Sequence, residues 1–330
     1  MNTLYPLKFK PVLKETLWGG SALHERFGKE GRPGKNIGES WEIMGMAGES
    51  SVVANGFLKG NTLEEIIEIY MGDLTGDAPF ERFGSEFPLL IKFIDARDTL
   101  SIQVHPGDRL ARERHHAWGK TEMWYVLDAA TDSVIYTGFR HRTSKEEYLR
   151  HLDNRSLDTL INTTPVRPGD AFFIPAGMVH AIGAGVILAE IQQTSDITYR
   201  IYDWDRADAS GNSREMHTEM ALDAINFDFD KTGLIREVPT VNHPLPLVDC
   251  KYFHTSLIRI DCPVIKDYSL TDSFVIYICT ESEVLVECFG NTEKVSAGET
   301  VLIPASADNV TLIPVGTATL LEVFIPQITE

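Results

Sequence analysis

Short β-type runs bounded by glycine, proline and aspartate recur along most of this chain, and no other feature constrains its fold as much. They lie at Phe87–Asp95, Leu100–His105, Glu122–Leu127, Ser133–Thr137, Ala171–Pro175, Val186–Gln192 and Ile197–Tyr202, and later at Phe274–Cys279, Glu283–Phe289, Thr300–Pro304 and Ala318–Ile325. Many short strands at such spacing predict a β-sandwich or barrel. Helical patterns come only in pieces. Asn61 to Tyr70 places Leu63, Ile66, Ile67 and Tyr70 on one face after an Asn or Thr cap. Ser144-Lys145-Glu146-Glu147 is a capping-box signature ahead of Tyr148 and Leu149, and Ser156–Ile161 and Thr218–Ile225 read as further helices. The expectation is a mainly β protein with helical insertions at about 61–86 and 143–164.

At 330 residues the chain is about twice a typical domain. Between Arg236 and Asp249, Pro239, Pro244 and Pro246 interrupt a stretch without periodicity, so the boundary is expected near 240, giving domains 1–240 and 241–330. An internal echo crosses it. Gly169 to His180 compares with Gly298 to Asn309 at an offset of 129 residues, both reading turn glycine, apolar strand, Ile-Pro-Ala, turn. Asn309 stands where the first copy has His180.

A formal charge of −18, from 30 basic and 48 acidic residues, opposes polyphosphate backbones and anionic lipid surfaces. No nucleic-acid or membrane partner is expected, and an anionic substrate would need a local basic cluster. Cys250, Cys262, Cys279 and Cys288 have no C-x-x-C spacing and read as reduced thiols. The first eight residues lack the basic n-region and apolar stretch of a secretory signal, and no segment approaches the ~18 apolar residues of a membrane span. A soluble cytoplasmic protein, monomer or homodimer, is expected.

Chemistry concentrates in one constellation. Ser101 to Pro106 alternates, so Gln103 and His105 share a strand face, and Glu122 begins another strand 17 residues later. Gly169, Pro175, Gly177 and His180 form Gly-x5-Pro-x-Gly-x2-His, which resembles the second signature of the cupin superfamily, jelly-roll domains that hold a metal in a barrel. Gln103, His105, Glu122 and His180 make a nitrogen and oxygen donor set suited to zinc or a similar first-row divalent ion. The absence of thiolate argues against a purely structural zinc site. The other eight histidines read as ordinary surface or core residues.

The chain resembles type I mannose-6-phosphate isomerases in their short bacterial form. The resemblance runs through Leu17-Trp18-Gly19-Gly20, Gly38-Glu39-Ser40-Trp41-Glu42, Pro88 to Phe93, Ser101 to Pro106, Gly119 to Tyr125, Ile174 to Ala181, Glu190 to Asp196 and Tyr199 to Trp204, and is loose in the last third. The generic cupin first signature has His-x-His, whereas this chain has Gln103-x-His105, as that family does. The resemblance implies two cupin-type jelly rolls, the second smaller and without metal. It implies one zinc per chain on Gln103, His105, Glu122 and His180, and interconversion of mannose 6-phosphate and fructose 6-phosphate through an enediol.

Arg200 matches the family's catalytic arginine, and Lys92 and Lys120 match its active-site lysines. Lys92 is informative by itself, since a charge inside Leu89 to Ile94 is costly unless it faces a polar cavity. Ser101 and Arg206 are the expected phosphate contacts, Glu190 is a candidate general base, and Trp18 a sugar contact. Trp41, Trp124 and Tyr125 are further candidates to stack on a sugar, although aromatic residues beside strands are more often core. A metal cupin oxygenase and a non-catalytic sugar-phosphate-binding cupin are the alternatives.

Overall fold

The computed structural model describes residues 3–30, 35–46, 48–207 and 211–327. Strands dominate them, and three principal sheets result. The first orders Val12–Gly20, Ile37–Ile43, Leu89–Ala96, Val186–Gln193, Glu122–Ala129, Ala171–Ile174 and Leu234–Ile235 from edge to edge. The second runs Tyr199–Tyr202, Ile102–Val104, His180–Ile182, Val134–Phe139 and Ile161–Pro165. The third joins Leu245–Asp249, His254–Ile260, Asn309–Phe324, Val275–Cys288 and Asn291–Ser296, with Val264–Asp267 and Thr300–Ile303 paired alongside. The architecture is mainly β, as the alternating runs predict.

Every residue of Leu89–Ala96 and of Val186–Gln193 is buried, so both strands are covered on both faces. Their outward residues, Leu89, Ile91, Phe93, Ala189 and Ile191, share one core with Leu257, Phe274, Ile276, Leu302, Leu321 and Val323 of the third sheet. Burying each Leu, Ile, Val or Phe among them is worth about 1.5–3 kcal/mol, so the first and third sheets stack as one apolar sandwich. Leu7 completes it by bridging to Leu302. The opposite faces of the same two strands turn toward the five-stranded sheet, where Ile94, Leu188, Trp124, Ile135 and Ile182 form a separate core beside the candidate site. Among the described residues no helix is long and apolar enough to cross a membrane.

The helix expected after Asn61 spans Leu63–Tyr70. Thr62 caps Glu65 and Glu65 returns to the Thr62 backbone, a complete capping box, and Leu63, Ile66, Ile67 and Tyr70 are buried. Ser144 caps Lys145–Asp153, but Glu147 contacts His141 instead of closing the box. Ser156–Ile161 is not a helix. Only one 3₁₀ turn forms at Leu157–Thr159, and Ile161–Pro165 then pairs with Val134–Phe139. The Ile-Asn-Thr-Thr run, β-branched at three of four positions, prefers the pleated sheet, so the inserted segment ends before 161.

Two later strands are longer than the sequence pattern implies. Val275–Cys288 runs through Thr280–Ser282, where two separate strands were expected, by way of a bulge with Ser282 at φ 62°. Asn309–Phe324 likewise begins well before Ala318. Leu245–Asp249, inside the expected linker, is a strand pairing with His254–Ile260.

Both copies of the internal echo build the same local unit. Gly169 and Gly298 take φ values of 90° and 82° before Ala171–Ile174 and Thr300–Ile303. The carbonyls of Pro175 and Pro304 then accept the amides of Met178 and Ala307 at 3.1 and 3.0 Å. His180 and Asn309 each open the following strand.

Candidate active site

Strand register assembles the site. Across the first sheet Trp41, Lys92, Glu190 and Trp124 stand side by side, and across the five-stranded sheet Arg200, Gln103, His180 and Thr137 do the same. Directly paired residues share a face, so each row projects as a unit. Between the rows lies a cavity of about 290 Å³ lined by Trp18, Lys92, Ser101, Gln103, Lys120, Glu190 and Arg200, seven of the residues singled out in the sequence. Gly38 lets Trp18 approach, because a Cβ there would sit 2.7 Å from the indole.

His105, Glu122 and His180 form a buried cluster whose donor atoms all lie within 4.8 Å of one another. His105 Nε2 is 3.4 Å from Glu122 Oε2, and His180 Nε2 is 3.5 Å from Glu122 Oε1. His105 Nδ1 donates to the Ile197 carbonyl at 2.9 Å and His180 Nδ1 to that of Met178 at 2.8 Å, which leaves the Nε2 lone pairs facing Glu122. All four inward atoms are buried without a hydrogen-bond partner.

Burial holds the His180 pKa down at about 4 and that of His105 well below its usual value, with Lys120 adding to the effect, so both rings are neutral at pH 7. Burial pushes the Glu122 carboxyl up to about 7, against the pull of Lys120, whose Nζ is 3.2 Å away. Neutral imidazoles with oriented lone pairs around a buried carboxyl group are the donor set a divalent cation satisfies. Gln103, in register between His180 and Arg200, lines the adjoining cavity. The residues fit a metal ion.

Trp124 carries more than core packing. Its indole meets the His180 ring edge-on at 5.3 Å between centroids, and its Nε1–H donates to Glu190 Oε1 at 2.8 Å. The other Glu190 oxygen is 3.2 Å from Lys92 Nζ. Burial alone would raise the Glu190 pKa, but Lys92, Lys120 and the Trp124 bond hold it below the usual range, so Glu190 is ionised. Burial would likewise lower the Lys92 pKa, yet Glu39, Glu190 and Glu122 raise it, so Lys92 is charged.

Arg206 is absent from the cavity lining. Its Nη2 donates to Asp203 Oδ1 at 2.6 Å, while Arg214, bonded to both oxygens of the same carboxylate, lines the cavity. Arg200 anchors Nη1 on the Glu215 carbonyl at 2.9 Å and leaves Nε without a partner. Two guanidinium groups thus share the Asp203 carboxylate and Arg200 lines the same cavity, a local positive patch on an acidic molecule.

Glu39, Asp196, Thr198 and Arg214 line the cavity without having been assigned a role from sequence, and Trp41 joins them there. Glu39 shares a strand face with Trp41 and could have been found by alternation. Arg214, in a polar stretch without periodicity, gave no signal.

Residues 6–133 match the model of the type I phosphomannose isomerase catalytic domain. A mannose-6-phosphate isomerase of Bacillus subtilis is 41% identical over 262 residues, covering 76% of this chain and 78% of that protein. Another, from Streptococcus mutans, is 40% identical over 220 residues, 67% of each chain. The solved mannose 6-phosphate isomerase from Bacillus subtilis superposes with a TM-score of 0.82 at 32% identity, over 97% of this chain and 99% of that one. This chain belongs to the type I phosphomannose isomerase family.

Proposed function

We propose that the protein interconverts mannose 6-phosphate and fructose 6-phosphate, with one zinc ion per chain as its metal. The observation that carries this reading is the cluster of orphaned donors on His105, Glu122 and His180 beside a cavity bordered by Lys92, Lys120, Glu190 and Arg200. Its support in kinship is the two isomerases each about 40% identical to this chain. Gln103, His105, Glu122 and His180 would hold the ion, which supplies Lewis-acid polarisation of a substrate oxygen when bound.

Moving a proton between C1 and C2 requires an acid/base group at that edge, stabilisation of the enediolate and an anion clamp for the phosphate. Glu190 is ionised and fixed by Trp124 and Lys92, and we assign it the proton transfer. Arg200 cannot deprotonate and stabilises the developing negative charge. Lys92 and Lys120 hold their charges against the oxygens of the open chain. Ser101 and Arg214 face the phosphate, with Arg206 behind them sharing Asp203; Trp18 closes the wall against the sugar. A sugar-phosphate substrate makes the cytoplasm the expected setting.

A coupled assay of fructose 6-phosphate formation from mannose 6-phosphate tests the reading. Turnover that vanishes on chelation and returns with zinc is the expected result. Oxygen consumption with bound iron, or saturable sugar-phosphate binding without turnover, would overturn it in favour of an oxygenase or a binding protein.

A further inference from the structure

One partly buried network links the candidate metal site to the C-terminal part of the chain, and the mechanism above does not use it. Asp108, the first residue of the Asp108–His115 helix, lies three residues beyond His105. Its Oδ1 accepts the Gly119 amide at 3.2 Å and Gln193 Nε2–H at 2.9 Å, and its Oδ2 accepts the Tyr252 hydroxyl at 2.7 Å, with Lys251 Nζ 3.4 Å away. Gln193 passes the restraint on, since its Oε1 accepts the Thr121 amide at 2.9 Å. Thr121 stands between Lys120 and Glu122. Gly119 permits the approach, because a Cβ there would sit 2.6 Å from the Asp108 backbone nitrogen.

Burial would raise the Asp108 pKa, but bonds from Gln193, Tyr252 and Gly119 lower it overall, so the hub is a carboxylate able to accept several donors at once. The geometry points to Asp108 as a positioning residue for Lys120 and Glu122, with Gln193 as the relay and the Tyr252 hydroxyl as the contribution of the C-terminal part. An asparagine has one acceptor oxygen and cannot serve the same donors. Residues that orient metal ligands from behind typically change affinity or activity by about 10- to 100-fold when altered.

This inference rests on the metal-dependent isomerase reading, and zinc content of the wild-type protein by elemental analysis separates the two. Less than one zinc per chain sinks the underlying reading. With zinc present, the test is Asp108→Asn and Tyr252→Phe, scored by the rate of zinc loss to a chelator and by kcat against KM. Asp108→Asn is expected to speed zinc loss and lower kcat about 10-fold or more with KM within about twofold, and Tyr252→Phe to do so less. Glu322→Gln, in the C-terminal core outside the network, serves as a control for destabilisation and should leave both readouts unchanged. Wild-type zinc retention and kcat in Asp108→Asn, or equal changes in Glu322→Gln, overturn the positioning role.

Discussion

The first and third sheets carry the same register and opposite chemistry. Superposing the echo places Ile303 on Ile174, whose strand partners are Val275 and Glu122. Two residues on, Tyr277 pairs with Glu322 as Trp124 pairs with Glu190. Asn309 takes the place of His180, and Ser256 that of Lys92. The carboxylate persists, but the counterparts of the donors Glu122 and His180 are Val275 and Asn309. In the third sheet Glu322 is met by the Tyr268 hydroxyl and by Lys266 at 2.9 Å, Tyr268 also bonds Tyr277, and the surroundings are Ile258, Val284, Val286, Leu312 and Leu320. A polar interior can be kept for two purposes. One leaves donors unsatisfied beside a cavity; the other satisfies them and closes the space.

Removing a donor from the open region should have the largest effect. His180→Ala is expected to lose its metal and more than about 100-fold in kcat while remaining folded, as read by elemental analysis and circular dichroism. Unchanged metal content would erase the contrast. Glu190→Gln keeps shape and the Trp124 contact but cannot take a proton, so kcat should fall about 100-fold or more with metal retained. A near-wild-type kcat would show that the conserved carboxylate is structural in both regions.

The closed region should respond in stability alone. Lys266→Met leaves Glu322 buried without its cation and is expected to cost about 3 kcal/mol in denaturant unfolding, with kcat unchanged. Loss of kcat at full occupancy of the folded state would mean the third sheet shares in catalysis directly. The smallest effect concerns Asp203. Burial alone would raise its pKa, but Arg214 and Arg206 hold it below the usual carboxylate range. A carboxyl with a depressed native pKa adds stability above its unfolded value near 4 and loses it as pH falls through the native value. Asp203→Asn should therefore destabilise by about 1–2 kcal/mol at pH 7 and progressively less below about pH 4. A difference constant with pH would remove the charge argument.

How much was legible in the sequence follows the same contrast. Most short strands and the clustering of His105, Glu122 and His180 were readable because alternation fixes faces and because these three residues sit at recognisable turns. Lys92 was readable since a lone charge in an apolar run must have a reason. Arg214 and the 3₁₀ turn at Leu157–Thr159 were not, because the first is placed by Asp203 from eleven residues away in an unpatterned segment and the second by pairing with Val134–Phe139. Tertiary partners decided both. Trp124 read chiefly as core and is buried, yet its indole also fixes Glu190 and His180, a role visible only once the strands are in register.

The most direct test of the contrast is anomalous diffraction at the zinc edge on crystals of the zinc-loaded protein. One peak per chain is expected among His105, Glu122 and His180, with none near Glu322. A peak in the third sheet, or none at the triad in a sample that turns over mannose 6-phosphate, would contradict the account.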